Sequence, residues 1–373
     1  MPDLSYTLEI DGSPAPPALL AAVQRIEVED HAELADMLRL RLAVGVQESG
    51  SAWTVLDDDV FTRLAHVCVK LNFGGGRTET LIDSYVIDTQ VQFANQPGQS
   101  TFDVVAMDPT VLMNLEEKVK AWPNMSDSDI ASAIFGDAAY GFRTVVDTTE
   151  WRREEQTQTI LQRGTDIRFL KELAARNGFE CFVETNSETG ETEGHFHAPR
   201  LGETTQGVLT VNMGEATNVN AFRARFEMLK PVTAQVVGLD VDSRETQPVE
   251  ARESSDSELG ATRTNTADRP RRVLLARTGM AQSGELQAYA QAVVDQSAMA
   301  IHAEGEVNTA AYGLLRAKRP VAVRGVGQQF SGVYYVEKVL HTLDGSGHVQ
   351  RFSLRRNALG TTGRERFVDD GAA

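Results

Sequence analysis

The stretch Gln162-Arg163-Gly164-Thr165-Asp166-Ile167-Arg168-Phe169-Leu170-Lys171-Glu172-Leu173-Ala174-Ala175-Arg176-Asn177-Gly178-Phe179 is the clearest helix in the chain. Ile167, Leu170, Leu173 and Ala174 recur at helical spacing and fall on one face. Gly178 is placed to close the helix, since a left-handed residue just past the last turn satisfies its final carbonyls. Residues 179–184 then read as extended. A shorter helix precedes this one. Ser126 with Asp129 makes a capping-box pattern, and Ile130, Ala133 and Ile134 form an apolar stripe ending at Gly136. Residues 113–230 are therefore expected to be an α+β middle region.

On either side the period changes to two. Leu38, Leu40 and Leu42 alternate with Arg39 and Arg41, and Val67, Val69, Leu71 and Phe73 alternate with His66, Cys68, Lys70 and Asn72. That alternation is a strand with one buried face. Strand-like runs follow at 81–93 and 101–107, and again at 231–239. The runs 333–341 and 348–354 flank the turn Asp344-Gly345-Ser346-Gly347 and read as a hairpin. Ser283 starts a helix with Leu286, Tyr289, Ala290, Val293 and Val294 on one face. Between 243 and 270 only Val249 and Leu259 are large aliphatics, so this segment is expected to be a long mobile loop. The expected fold class is α+β, mainly β. A β domain spans 1–112, the α+β region 113–230, a second β domain 231–360, and a polar tail 361–373. Short strands separated by turn signals point to barrels or sandwiches.

The chain has 373 residues, 41% of them hydrophobic, and a net charge of −17 from 36 Lys and Arg against 53 Asp and Glu. It is long enough for about two or three domains. Its bulk field disfavours nucleic acid and anionic lipid, so neither is expected as a partner. The start carries no secretory pattern, and no stretch reaches the roughly 20 apolar residues of a membrane helix. Two distant cysteines, Cys68 and Cys181, fit a reducing compartment and exclude a disulfide framework.

Catalytic and metal patterns are sparse. His195 and His197 stand at i and i+2, which puts both imidazoles on one face of a strand. A catalytic zinc needs a third protein ligand, and none stands at a recognisable spacing, so ordinary strand histidines are the expectation. The triglycine 74–76 is followed by no Gly-Lys-Ser/Thr and reads as a hairpin turn. No Gly-x-Ser-x-Gly occurs, and Asp57-Asp58-Asp59 reads as a solvated loop. No catalytic residue, cofactor or metal ligand is assigned. One charge feature stands out: no acid occurs between Glu306 and Glu337, while Arg316, Lys318, Arg319 and Arg324 do. This basic island either meets an acidic partner or neutralises acids within the fold.

Gln162, the run 165–174, Gly178 and Phe179 resemble the signature of the phage late control gene D family, which includes tail baseplate hub proteins and the hub portion of VgrG spike proteins of type VI secretion. Further segments agree in order: 126–131, 104–108 with Leu112, 332–341, Phe352 and 355–358. The resemblance runs over roughly 5–360. Through it Asp166, Phe169, Leu170, Leu173, Gly178, Tyr335 and His341 stand as structural signature positions. It implies two tube-type β-barrel domains per chain. It also implies a homotrimeric ring joining a hexameric inner tube to a separate trimeric spike, with other baseplate proteins as neighbours. Assembly would be cytoplasmic, in a phage tail or tail-like injection particle, with no catalysis. At 373 residues the spike is expected on a separate polypeptide. Two other readings compete: an envelope hydrolase using His195 and His197 or an acid pair, and a module that tethers effectors in a lumen.

Overall fold

Period-two alternation becomes six strands in the first part of the chain: β1 (Ser5–Ile10), β2 (Val23–His31), β3 (Met37–Ala43), β4 (His66–Asn72), β5 (Thr78–Gln92) and β6 (Thr101–Met107). Leu38, Leu40 and Leu42 are buried while Arg39 and Arg41 face solvent. The computed structural model describes residues 5–367 apart from 47–52, 74–76, 97, 154, 157–158, 188, 240–245, 266–269, 277–282 and 366. The triglycine lies outside the described residues.

The middle region holds β7 (Glu117–Trp122), α1 (Asp127–Phe135), β8 (Arg143–Val146), β9 (Ile160–Thr165), α2 (Asp166–Asn177), β10 (Glu180–Thr185) and β11 (Thr192–His197). Both bonds of the capping box form: Asp129 N–H donates to Ser126 Oγ, and Ser126 N–H to Asp129 Oδ2, each at 3.1 Å. Gly178 takes φ 69° and closes α2. A Cβ there would lie 3.2 Å from that of Ala292, so the glycine also sets how closely the chain packs. Ile130, Ile134, Phe135, Phe169, Leu170 and Phe196 fill one core between these helices and strands.

The remaining elements are β12 (Val208–Thr210), β13 (Val219–Phe226), β14 (Val232–Leu239), β15 (Thr246–Ala251), β16 (Arg271–Ala276), α3 (Ser283–Ala298), β17 (Ile301–Asn308), β18 (Pro320–Arg324), β19 (Gly332–Asp344) and β20 (Gly347–Arg356). The fold is mainly β, as expected. Its main feature is a 13-stranded sheet with the order β13-β17-β20-β19-β2-β3-β6-β5-β4-β1, extended by Ser13–Pro14 and branched through β18 and β12. The long strand β19 joins its halves. Gly332–Tyr335 pair with β18, and Lys338–Asp344 pair with β2, across an irregularity between Val336 and Lys338. An extra residue there turns the strand so that one chain segment serves two partners. The β segments before and after the middle region thus share one sheet over two separate cores.

Two sequence expectations differ from this arrangement. Strands β12 and β13 lie before residue 231 yet belong to the sheet of the C-terminal β segment, so that segment starts earlier than its alternation is legible. The stretch expected as a loop, 243–270, contains β15, an edge strand on β14, and Thr262–Arg263, which pairs with Ala358–Leu359. Its few apolar residues are enough because they are anchored: Ala251 joins the core under α3, and Leu259 packs among Ala32, Met299 and Tyr335.

Candidate functional site

The signature helix is built around a buried carboxylate. Asp166, in the first turn of α2, accepts from Lys118 Nζ at 2.6 Å, Gln162 Nε2 at 2.6 Å and Tyr140 Oη at 2.7 Å. Burial opposes its ionisation, but these donors outweigh it and hold Asp166 below the usual carboxylate range. The helix N-terminus adds favourable potential. Gln162 in turn accepts from Trp122 Nε1 at 3.0 Å. The node ties β7, β9 and α2 together. Phe169, Leu170 and Leu173 point into the core beneath.

A second polar cluster sits where the sheet halves meet the middle region. Lys318, with a side chain 4% exposed, donates to Asp30 Oδ1 at 2.7 Å and to Asp36 Oδ2 at 2.8 Å. Asp30 Oδ2 accepts from Ala317 N–H at 3.0 Å, and Asp108 Oδ2 accepts from Asp36 N–H at 2.7 Å. Arg316 lies 3.6 Å from Asp30 and donates to Leu81 O at 2.9 Å. Burial, and then the neighbouring carboxylates against the pull of Lys318, leave Asp36 pushed up to about 8. Asp30 is held low by Lys318 and Arg316 despite its burial. Lys318 Nζ is 5.1 Å from the Phe182 ring centroid, and Phe182 stacks on His195 at 4.4 Å. Alongside, Arg355 pairs with Glu33 at 2.5 Å and Glu180 at 3.1 Å, and Tyr335 Oη donates to Glu180 at 2.6 Å. Residues from β2, β10, β19 and β20 thus meet in one network.

The basic island divides. Lys318 and Arg316 are engaged inside the fold with Asp30. The cause is topological: β19 carries this segment across the buried end of β2. Arg319 is 53% exposed with Glu184 at 4.0 Å, and Arg324 donates to Thr210 Oγ1 and Phe367 O. His195 and His197 do come together, with Nδ1 and Nε2 3.2 Å apart, and His197 Nδ1 lies 2.9 Å from Ala198 O. Both are buried and their pKa values are lowered by that burial, His195 to about 4. Among the described residues no group of three or more His, Cys, Asp or Glu is arranged to hold a metal. Cys68 and Cys181 are pushed up to about 12 by burial and stay thiols. The network ties segments together; it brings no nucleophile beside a base.

Sequence reading missed Asp30, Asp36 and Glu180, and gave Arg355 and Arg356 only as part of the family-like closing segment. One signal was present: Asp30 falls on the same alternating face as Ile26 and Val28, where an acid requires a buried partner.

His341 and His348 face each other across the β19–β20 hairpin, Nδ1 to Nε2 at 3.2 Å. Burial lowers both, His348 to about 4, and His341 is lowered further by His348 and Arg316. Their folded pKa values lie below the ordinary value near 6.5, so the stability they contribute is complete above that pH and lost as pH falls through about 4. Asp36, with its raised pKa, acts in the opposite direction as pH falls from about 8. A difference curve removes that contribution. The stability advantage of the wild type over His348→Gln is expected to shrink between pH 7 and pH 4 in denaturant titrations. A pH-independent difference would mean that His348 is not held neutral.

Comparisons with known proteins bear on this geometry. The family model of the Alg8 N-terminal domain matches residues 3–345. No curated protein matches. Among solved structures, the 43 kDa tail protein of prophage MuSo2 from Shewanella oneidensis superposes with a TM-score of 0.66 at 16% identity, covering 95% of this chain and 98% of its own. A tail protein from Neisseria meningitidis MC58 gives 0.66 at 9% identity, with 95% and 96% covered. An E. coli component of the type VI secretion system gives 0.58 at 11% identity, with 97% and 80% covered. At these identities the likeness is one of fold.

Proposed function

The chain belongs to the Alg8 N-terminal domain family; from its fold we propose that it is a structural component of a phage-type tail or tail-like injection apparatus, the baseplate hub of the late control gene D kind. The observation that carries this reading is a fold shared end to end with a prophage tail protein, 95% of this chain against 98% of that one. In this reading the two β segments act as tube-type barrel domains. Three chains form a ring whose six similar faces meet a hexameric tube, and whose threefold end meets a separate spike. Closed cyclic symmetry then leaves no open contact surface. The work done is geometric matching and transmission of load, not bond making.

Two features support a ring. The junction network ties both β segments to the middle region, which suits a part that carries load between two partners. The sheet also ends in free edges. Among the described residues, β13 pairs only with β17, and the Asp88–Gln92 half of β5 pairs only with β6. Unpaired edges are templates for a strand of another copy. Arg223 and Arg225 stand exposed on β13, where a neighbouring strand of an acidic chain would lie. Reversing both to Glu is expected to lower the trimer fraction in light-scattering mass measurements while leaving the melting temperature of the single chain unchanged. The decisive test is co-purification with candidate tube and spike proteins alongside a mass in solution. A stable monomer that captures neither would overturn the hub reading.

A further inference from the structure

A cavity of about 230 Å³ opens where α2, β10 and the end of α3 meet the chain just after β2. At about 30 Å³ per water it has room for roughly eight waters, the size of a small organic molecule. Part of its wall is apolar, from Ala174, Phe179, Ala292 and Met299. The rest carries charge, and that charge is unevenly matched.

Arg355 is occupied by Glu33 and Glu180, with Glu337 at 3.9 Å, through its terminal nitrogens, but its Nε has no acceptor among the described residues although the residue is only 8% exposed. Lys171 Nζ makes one hydrogen bond, to Glu33 O at 2.9 Å, out of the three an ammonium can donate. Across the cavity Asp295 accepts from Ser255 N–H at 2.7 Å, Ser255 Oγ at 2.8 Å and Gln291 Nε2 at 2.9 Å. No donor reaches the Asp256 carboxylate among the described residues. Burial and the charge of Asp295 push Asp256 up to about 6, against the pull of Arg355.

We propose that this cavity binds a small zwitterion of the amino-acid class, its ammonium on Asp256 and Asp295, its carboxylate on Lys171 and Arg355 Nε, and its carbon chain along the apolar wall. A ligand with one charge would leave either the acids or the spare donors without an opposite charge, and one without a carboxylate would leave the buried Arg355 Nε without an acceptor, which is costly. This site stands apart from the hub reading and does not depend on it.

Calorimetric titration of the full chain with a series of ω-amino acids, from glycine to 6-aminohexanoate, tests the proposal. Hexylamine and hexanoate serve as single-charge controls. One member of the series is expected to bind saturably at one site per chain, about ten-fold tighter than either control, the effect of one well-placed charge interaction. Asp256→Asn and Lys171→Met are each expected to weaken that binding about ten-fold. Asp256→Asn removes a partnerless acid, so its melting temperature without ligand should not fall, which separates loss of binding from loss of fold. No saturable binding by any member overturns the proposal. Equal binding by Asp256→Asn, or hexylamine binding as tightly as the zwitterion, does so too.

Discussion

Lys318→Ala is expected to destabilise the protein by roughly 3–5 kcal/mol, the range for removing one partner of a buried ion pair. Lys318 is the cation that both Asp30 and Asp36 contact, at 2.7 and 2.8 Å. With it gone, two carboxylates stay buried, Asp108 stands behind them, and Arg316 reaches only Asp30 at 3.6 Å. Protonation relieves part of the cost, chiefly at Asp36, whose pKa already lies near 8. The backbone adds no second effect. Lys318 has φ 65°, which an alanine adopts no more readily, so the backbone is matched and the loss reports the charge. Guanidinium denaturation of wild type and variant measures it. Combining Lys318→Met with Asp30→Asn and Asp36→Asn should recover most of the stability, because a neutral set of similar volume carries no unpaired charge. A single variant within about 1 kcal/mol of wild type would show that water already reaches these carboxylates.

The second large effect is expected at Arg356, which is fully buried. Its guanidinium donates to Leu259 O from Nε at 2.9 Å and from one terminal nitrogen at 2.7 Å, to Ser331 O at 3.0 Å, and to Gly360 O. It also lies over Tyr334, 5.2 Å from the ring centroid. Three carbonyls from three segments depend on one side chain. Arg356→Met keeps much of the apolar stem and removes every donor, so a loss of about 3–5 kcal/mol is expected from charged hydrogen bonds and orphaned carbonyls. The location is equally specific. Leu259 anchors the stretch between β15 and β16, so limited proteolysis under native conditions should speed up within 246–265 before the sheet unfolds. Uniform destabilisation without that local cleavage would mean that Arg356 is not the tether. Gly260 and Gly332 fit the same account, since a Cβ on either would collide with the guanidinium.

This tether explains why the segment around Leu259 holds strands where its composition predicts a loop. Composition reports how much apolar surface a segment owns, and here it is little. It does not report that a buried arginine about a hundred residues away will bond the Leu259 carbonyl, or that Asn357 Oδ1 will accept from Leu259 N–H at 2.9 Å. The helix α2 is the opposite case. Its apolar spacing and the position of Gly178 are local facts, and the helix formed where they placed it. Asp166 lies between: its place at the start of α2 was legible, but its three donors were not, since Lys118 and Tyr140 come from other elements. The histidines at 195 and 197 share a strand face as their spacing dictates. Their burial, which keeps them neutral, depends on how the strand is covered.

By itself the sequence determined the local periods, the helix caps, the predominance of strands and the lack of a recognisable catalytic motif, because each is settled by neighbours a few residues apart. Only the tertiary structure decided that the two β segments share one sheet, that Lys318 is held by Asp30 from 288 residues away, and that an unmatched acid lines a cavity beside α2. The physical reason is that a strand or helix is specified by the repeat of its own side chains. The partner of a buried charge is specified by where the chain returns, and here that return is set by β19, which pairs with β18 along one half and with β2 along the other.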